Sequence, residues 1–410
     1  MREKNLVVIG GGASGFFCAI NAASLTENLK VTILEKQSKV LQKVKVSGGG
    51  RCNITHQYML SSQFIKNYPR GKNLLKKSLQ NLSSEATMNW FREKGVDLKT
   101  EDDGRVFPTS NQSQSIIDCL LHACEENNID VKLKHEVISI IPTNGSFTLQ
   151  LKTGSTIVAN YVMLACGGFQ TQLQYDWLKN LGHTIVNPVP SLFTFNIPNH
   201  PLRELMGISI ENAIVKVNET SLVDQGALLI THWGFSGPAV LRLSAWGAKL
   251  LSEEKYNFSI SINWLGKPEH EIRSEWNTIR NTLKGQLIGS KNPFELPQRL
   301  WLYLIASVKI NEQIKWSELP SKQQNQLIHA LSASTYIVIG KTTFKEEFVT
   351  CGGIALEEVD TQTMESKLHS NLFFGGEILD VDGITGGFNF QHAWASGYSA
   401  ALAIAQKNKI

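Results

Sequence analysis

Apolar residues in this chain change their spacing several times, and each change marks an element. The segment from Asn5 to Ile9 holds an unbroken apolar run, which predicts a short strand. A glycine turn from Gly10 to Gly15 follows. Small and apolar residues from Phe16 to Leu25 then predict a helix, and Val31 to Leu34 a second strand. Further along, a glycine turn at Gly48, Gly49 and Gly50 precedes a helical segment around Ser83 to Lys94 and a loop at Asp102 to Thr109. Ser115 to Asn127 alternates at helical spacing, and Asp130 to Ile140, Ser146 to Leu151 and Ile157 to Leu164 read as extended.

After Gly167 and Gly168 the character shifts. Pro188, Pro190, Pro198 and Pro201 punctuate short strands such as Leu192 to Ile197, Ala213 to Val217 and Phe258 to Ile262. From Glu269 to about Thr335 the pattern is helical, with Leu296, Leu300, Leu304, Ile305 and Val308 on one face and Pro293, Pro297 and Pro320 at helix boundaries. The tail returns to the opening's grammar: a strand at Leu372 to Phe374, a glycine turn, and a helix from about Phe390 to Ala405. The expected layout is an α/β, Rossmann-like nucleotide-binding domain in two pieces, 1–188 and 341–410. It is interrupted by an inserted β domain at 189–265 and an inserted helical domain at 266–340.

The length of 410 residues supports more than one core, as that layout requires. A composition of 42% hydrophobic and 19% charged residues is that of an ordinary globular protein, and no stretch is long and apolar enough for a membrane span. The apolar run near the amino terminus is too short for a signal-peptide core, so a cytoplasmic location is expected. The formal charge of +4 is mild and no block of lysine or arginine forms a nucleic-acid arm, so nucleic acid is not an expected partner. Cys18, Cys52, Cys119, Cys124, Cys166 and Cys351 are scattered without a metal-ligand spacing, which predicts reduced thiols and no metal site.

Chemistry concentrates in three glycine-rich stretches. Gly10, Gly12 and Gly15 form G-x-G-x-x-G between a strand and a helix, where the backbone can approach a pyrophosphate at the helix amino terminus. Glu35, 20 residues past Gly15 at the end of the next strand, is placed to accept hydrogen bonds from an adenosine ribose. That pair specifies a dinucleotide without separating FAD from NAD. The distant turn from Gly375 to Glu377, followed by Gly383 to Asn389 leading into the last helix, favours the longer FAD molecule. In the third stretch, Ser47 to Asn53, three consecutive glycines are costly in entropy unless something lies close to the backbone, and Arg51 offers charge to a phosphate or an anionic substrate. Lys43 and Lys45 add positive charge to that stretch and also read as solvated surface, while Cys52 reads as a packing residue.

Together these stretches resemble the YhiN/BaiN-like flavoproteins, also described as aminoacetone-oxidase-type FAD-binding enzymes or NAD(P)/FAD-dependent oxidoreductases. The resemblance spans nearly the whole chain. It rests on Gly10 to Gly15, on SGGGRCN at 47–53, on His232 to Pro238, on Thr363-Met364-Glu365-Ser366-Lys367, and on residues 375–397, with Phe388 where the family pattern has tyrosine. It implies a two-dinucleotide-binding-type FAD domain with β-barrel-like and helical inserts. The resulting cofactor set is Gly10, Gly12, Ala13, Ser14, Gly15, Glu35, Lys36, Lys45, Gly49, Gly50, Arg51, Asn53, Val137, Gly167, Gly168, Gly376, Glu377, Asp380, Gly387, Phe388 and Asn389.

The expected function is a FAD-dependent oxidoreductase with noncovalent flavin. It takes hydride from NAD(P)H, a transient visitor because no second G-x-G-x-x-G follows a strand, and passes it to a small organic acceptor such as an activated C=C bond. His232 and Ser236, in the most family-like part of the insert, are the candidates for proton delivery, with a structural histidine the equal alternative. Gln391 and His392 read as positioning or capping residues. An amine or α-aminoketone oxidase, a flavin-dependent RNA-modifying protein, and a redox-inert flavin scaffold are the other readings. For the RNA reading, Trp233, Trp246, Trp264, Trp276, Trp301 and Trp316 are better explained mostly as core.

Overall fold

Leu6, Val7, Val8 and Ile9 do not alternate with polar residues because their strand has helices or sheet neighbours on every side. In the structure, a computed structural model describing residues 4–343 and 349–409, all four are buried. Their strand, Lys4–Ile9, pairs in parallel with Leu29–Glu35 on one side and Tyr161–Leu164 on the other, Leu6 facing Val31 and Tyr161. Leu372–Phe374 and Asp130–Leu133 complete the two edges of this five-stranded sheet, again in parallel. Buried parallel strands of this kind read as continuous apolar runs.

The first helix, Ala13–Leu25, and the last, Phe388–Asn408, pack together through small residues. At Gly397 a side chain would come within 2.6 Å of the Ser14 carbonyl oxygen, so the two helices meet backbone against backbone. This is the physical reason that the carboxyl-terminal tail joins the opening of the chain.

Several extended segments prove to be two elements each. Asp130 to Ile140 breaks at Lys134, whose φ of 58° turns the chain out of the parallel sheet and into an antiparallel meander of Val137–Thr143, Ser146–Leu151 and Thr156–Ala159. Ile157 to Leu164 breaks at Asn160. There the backbone N–H groups of Asn5 and Asn160 each donate to the other's side-chain oxygen, at 3.0 and 2.9 Å, which steers the chain back into the parallel sheet. The expected loop at Asp102 to Thr109 contains the strand Arg105–Pro108, which buries Val106 and Phe107 and pairs with both Thr55–His56 and Leu98–Thr100. Strands of two to four residues leave too little alternation to be seen in sequence.

By contacts the chain forms two units, Met1–Ser191 with Phe344–Ile410, and Leu192–Thr343. In the first, the incoming strand Ile185–Pro190 and the outgoing strand Thr350–Ile354 pair with each other, so the insertion leaves and returns at one place. In the second, seven antiparallel strands run in the order Ser334–Ile339, Asn257–Asn263, Ser209–Val217, Val223–Ile230, Gly234–Ser236, Thr194–Asn196 and Lys341–Thr342. The two edge strands meet through Gly340, so the sheet curls toward a barrel.

The strands of 189–265 and the helices of 266–340 bury their apolar faces in one continuous cluster. The end of the helical stretch supplies the strand Ser334–Ile339 to that same sheet, and Lys341–Thr342 just beyond it supplies another. Trp264, Trp276, Trp301 and Trp316 lie in the cluster, whereas Trp233 and Trp246 are exposed.

The parallel sheet sets a close contact where the first strand ends. Gly10 has a φ of +114°, and a side chain there would come within 2.3 Å of the Ala165 carbonyl oxygen on the neighbouring strand. Gly10→Ala is therefore expected to destabilise the fold by roughly 2–4 kcal/mol, read as a lowered urea midpoint. An unchanged midpoint would mean that these strand ends separate freely.

Candidate active site at the carboxyl edge of the parallel sheet

Because all five strands run the same way, the residues after Ile9, Glu35, Leu164 and Phe374 emerge at one edge of the sheet. That edge gathers Gly10, Gly12 and Gly15, then Gly167 and Gly168, then Gly376 and Glu377. The three glycines of the first turn have different reasons to be glycine. Gly10 clears Ala165. At Gly15 a side chain would overlap the Gly10 carbonyl oxygen, at 2.1 Å, where the helix folds back on the strand. At Gly12, by contrast, no atom of the described residues lies within 4 Å of where a side chain would be, so among them this face of the turn is open.

The open face coincides with the first helix's amino terminus. Gly12 is its N-cap, no side chain caps it, and no acidic residue occupies its first turn. Unpaired N–H groups and the positive end of the helix dipole therefore point where Gly12 leaves room. Ala13 and Ser14 lie in that first turn, and Ser14 Oγ is buried with no hydrogen-bond partner among the described residues. Glu35, half-buried, accepts from the Gly11 N–H and the Gln37 N–H, each at 2.8 Å. Two oxygens each holding one N–H keep lone pairs free for further donors such as ribose hydroxyls. Lys36 is exposed over the Phe169 ring at 5.4 Å. Val137 starts the meander two residues after His135, whose N–H donates to the Glu35 carbonyl at 2.9 Å.

The SGGGRCN stretch makes a second open cradle. A helix beginning at Gln42 unwinds at Ser47, and Gly48, Gly49 and Gly50 take left-handed φ values of 58°, 69° and 83°. Gly49 and Gly50, like Gly167, have no atom of the described residues within 4 Å of a would-be side chain. Lys45 is exposed on that helix. Arg51, expected to meet a phosphate or anion, is engaged within the protein: it pairs with Glu101 at 2.6 Å and stacks over Phe107 at 3.9 Å. Asn53 is buried, and its Oδ1 has no partner among the described residues. Cys52 is fully buried, and desolvation pushes its thiol up to about 12, as suits packing rather than redox chemistry.

The carboxyl-terminal residues are fastened to this unit by side chains. Glu377 bonds Lys43 at 2.5 Å and accepts from the Thr350 N–H at 2.7 Å, and Asp380 accepts from the Gly352 N–H at 2.9 Å. Gly387 is left-handed and abuts Thr55. The Phe388 ring is buried against His56 with centroids 4.9 Å apart, and its carbonyl accepts from the Tyr68 hydroxyl at 2.7 Å. Asn389 closes the loop through paired bonds to the Gly383 N–H and carbonyl. Gln391 bonds Thr55 at 2.7 Å and the Leu82 carbonyl at 3.0 Å. His392 donates from Nε2 to the Gly376 carbonyl at 3.1 Å, and burial lowers it to about 4, so it is neutral at physiological pH.

Sequence reasoning missed one group here. Asp382, fully buried, holds the Arg70 guanidinium with both oxygens and also the Ser191 hydroxyl. Asp382 stands in the same Asp-Val-Asp-Gly stretch as Asp380, but nothing in the sequence marks Arg70 as its partner 312 positions away.

His232 and Ser236 belong to the other unit. His232 is exposed, its ring against Trp233 with centroids 4.1 Å apart and without a hydrogen bond among the described residues; Ser236 ends the strand Gly234–Ser236. Among the described residues no three of His, Cys, Asp or Glu cluster to hold a metal ion, and no helix is long and apolar enough to cross a membrane.

Compared with known proteins, residues 4–403 match the family model described as the HI0933-like protein Rossmann domain. The chain is 28% identical to a 3-dehydro-bile acid delta(4,6)-reductase of Clostridium scindens, over 98% of both chains. It is also 28% identical to a ribosomal RNA dihydrouridine synthase of Escherichia coli, again over 98% of both. Among solved structures, 3-ketosteroid delta1-dehydrogenase of Sterolibacterium denitrificans superposes with a TM-score of 0.51 at 13% identity, covering 98% of this chain and 99% of the other, which is a likeness of fold.

The open face at Gly12 separates binding from folding. Gly12 has φ −99° and ψ −172°, which any residue adopts, and free space around it. Gly12→Val should leave the cofactor-free protein's melting temperature within about 2 °C of wild type while abolishing copurification of a dinucleotide. A variant that retains its dinucleotide in full would move the pyrophosphate site elsewhere.

Proposed function

The chain belongs to the HI0933-like Rossmann family, the YhiN/BaiN-like flavoproteins, and from that membership we propose that it is a FAD-dependent reductase of C=C bonds conjugated to a carbonyl group. The observation that carries the cofactor part is the open, uncapped helix terminus at Gly12 beside Glu35. There the N–H groups of the first helical turn would hold the pyrophosphate and the Glu35 carboxylate the adenosine ribose. The Gly49–Gly50 cradle and the Gly375–Glu377 turn would take the rest of an extended FAD, held noncovalently. Bound flavin supplies two-electron chemistry that no side chain offers.

Support for the acceptor class comes from the two relatives' names. One names reduction of a delta(4,6) bile acid bearing a 3-oxo group, the other synthesis of dihydrouridine. Both describe saturation of a C=C bond conjugated to a carbonyl. A hydride delivered to the far carbon of such a bond leaves negative charge toward the oxygen, and a protein acid must then protonate the adjacent carbon. His232 is our candidate for that acid and Ser236 for its helper. NAD(P)H is the proposed donor, visiting in turn with the acceptor. A small molecule is the preferred acceptor because the charge of +4 is spread thinly. A uracil in ribosomal RNA is the second reading, favoured by the equal identity of the Escherichia coli relative.

Anaerobic titration of the purified protein tests this reading. We expect a yellow protein whose flavin is released by heat, bleached by NADH or NADPH, and reoxidised by a 3-oxo-4-ene steroid far faster than by O₂. His232→Ala should slow that reoxidation by about 10²-fold and leave bleaching unchanged. Failure of the steroid together with loss of dihydrouridine from ribosomal RNA in a deletion strain would select the second reading. Rapid reoxidation by O₂ alone would make the protein an oxidase, and inability to bind FAD would remove the proposal altogether.

A further inference from the structure

Three side chains in the nucleotide-binding unit stand in the order of nucleophile, base and acid, none of them part of a glycine motif. Ser366 Oγ lies 3.1 Å from His183 Nε2, and His183 Nδ1 lies 2.9 Å from Glu358 Oε2. Ser366 belongs to the Thr-Met-Glu-Ser-Lys stretch, which the cofactor site leaves unused.

Counting lone pairs shows that the hydroxyl is not poised to attack. The backbone N–H groups of Leu368 and His369 donate to Ser366 Oγ at 3.1 and 3.0 Å, filling both acceptor positions. Its proton therefore goes to His183 Nε2, which fixes the imidazole as the neutral tautomer that donates from Nδ1 to Glu358. Glu358 also accepts from the Thr184 N–H at 2.9 Å. Ser366 is 5% exposed and His183 2%, so no substrate reaches them.

What the trio does touch is the edge strand Leu372–Phe374. The Ser366 N–H donates to the Leu372 carbonyl at 2.7 Å and the Phe374 N–H to the Met364 carbonyl at 2.9 Å, while Glu365 and Phe373 form an antiparallel bridge. The His183 ring meets the Phe374 ring edge-on, with centroids 5.0 Å apart. The next residues are Gly375, Gly376 and Glu377.

We propose that Glu358, His183 and Ser366 are positioning residues that clip this strand and the Gly375–Glu377 turn in place, and that protonation of His183 opens the clip. A charged imidazole would aim a second N–H from Nε2 at a hydroxyl with no lone pair left. The groups facing His183 are Glu358, Ser366, the Phe374 ring and His369, whose ring centroid is 6.0 Å away. Burial holds His183 below its ordinary value, Glu358 pulling the other way and His369 adding to the lowering. Because the folded value lies below the unfolded one, the clip's stabilisation is complete above about pH 6.5 and is lost as pH falls through the folded value. Although burial opposes it, the Thr184 N–H and His183 hold Glu358 below the ordinary carboxylate range, so its loss comes at more acid pH.

The consequence for flavin rests on the function proposed above; the clip itself does not. Hydrogen exchange of the flavin-free full chain, corrected for intrinsic rates, reads the clip directly in the peptide spanning residues 372–377. From about pH 7.5 to 5.5 the wild type should lose about tenfold in protection there, whereas His183→Asn should be weakly protected at both and respond little. All other titratable groups are common to both proteins, so the difference isolates His183. If His183→Asn does not fold, Glu358→Gln should keep the onset of the loss near pH 6.5 and extend it to lower pH, because the charge that favours imidazolium in the folded chain is gone. Ser366→Ala should weaken FAD binding about tenfold. An equal pH response in wild type and His183→Asn, or covalent labelling of Ser366 by a fluorophosphonate, would overturn the clip. PH-dependent protection in a chain that never binds FAD would uphold it and sink the cofactor reading.

Discussion

The parallel direction of five strands is the constraint from which the rest of the first unit follows. Parallel pairing forces each strand to be reached by a crossover, and it brings the carboxyl ends of strands distant in sequence to one edge. Only at that edge can the end of Lys4–Ile9 lie between the ends of Leu29–Glu35 and Tyr161–Leu164, with the end of Leu372–Phe374 next beyond. Once those ends are adjacent, their following residues compete for space, and Gly10 against Ala165 shows how little there is. Among the described residues, N–H groups of the first helical turn are left without partners at the same edge, so the place of closest packing is also the place of unsatisfied polarity.

Such an edge is built from segments that begin far apart, and most of its fastening is polar. Trp394 Nε1 donates to the Ile54 carbonyl at 2.9 Å, Gln391 reaches Thr55, Tyr68 reaches Phe388, and Arg70 reaches Asp382. These bonds tie the carboxyl-terminal loop and helix to residues 54–70. The Arg70–Asp382 pair is the most demanding among them. Against the cost of burial, the carboxylate bonded to it raises Arg70 above its ordinary value, so the guanidinium stays charged. Breaking a buried pair of this kind costs about 3–5 kcal/mol, because the remaining charge has no partner. Apolar packing alone would hold the last helix on the first, but would not fix the loop that precedes it.

The parallel core and its nucleotide edge were legible in the sequence because glycine and carboxylate spacing record local geometry. Gly10, Gly12, Gly15 and Glu35 lie within one strand–helix–strand passage, so their relation is set by elements the sequence shows directly. Where a tertiary partner decides, the sequence is silent. Nothing in a run of apolar residues at Ile157 to Leu164 reveals that Asn160 will bond Asn5 and divide it between two sheets. The sequence shows the charge that Arg51 offers but not its pairing with Glu101, which sits in a hairpin whose strands are too short to show alternation. In the insertion, composition separated strands from helices, yet both bury into one cluster, since a hydrophobic core is a property of volume and not of the order of elements.

Two relatives at the same identity and coverage carry names with acceptors as different as a bile acid and a ribosomal RNA. Overall likeness therefore carries no information about acceptor size or charge in this family, whereas the bond that both names describe is chemically one kind. A flavin edge needs a defined geometry to take up and release hydride, and that requirement is the same for a steroid ring and for a uracil. Recognition of what lies beyond the reacting bond makes no such demand on the edge. Groups outside the cofactor's hold are therefore where two such acceptors would be told apart.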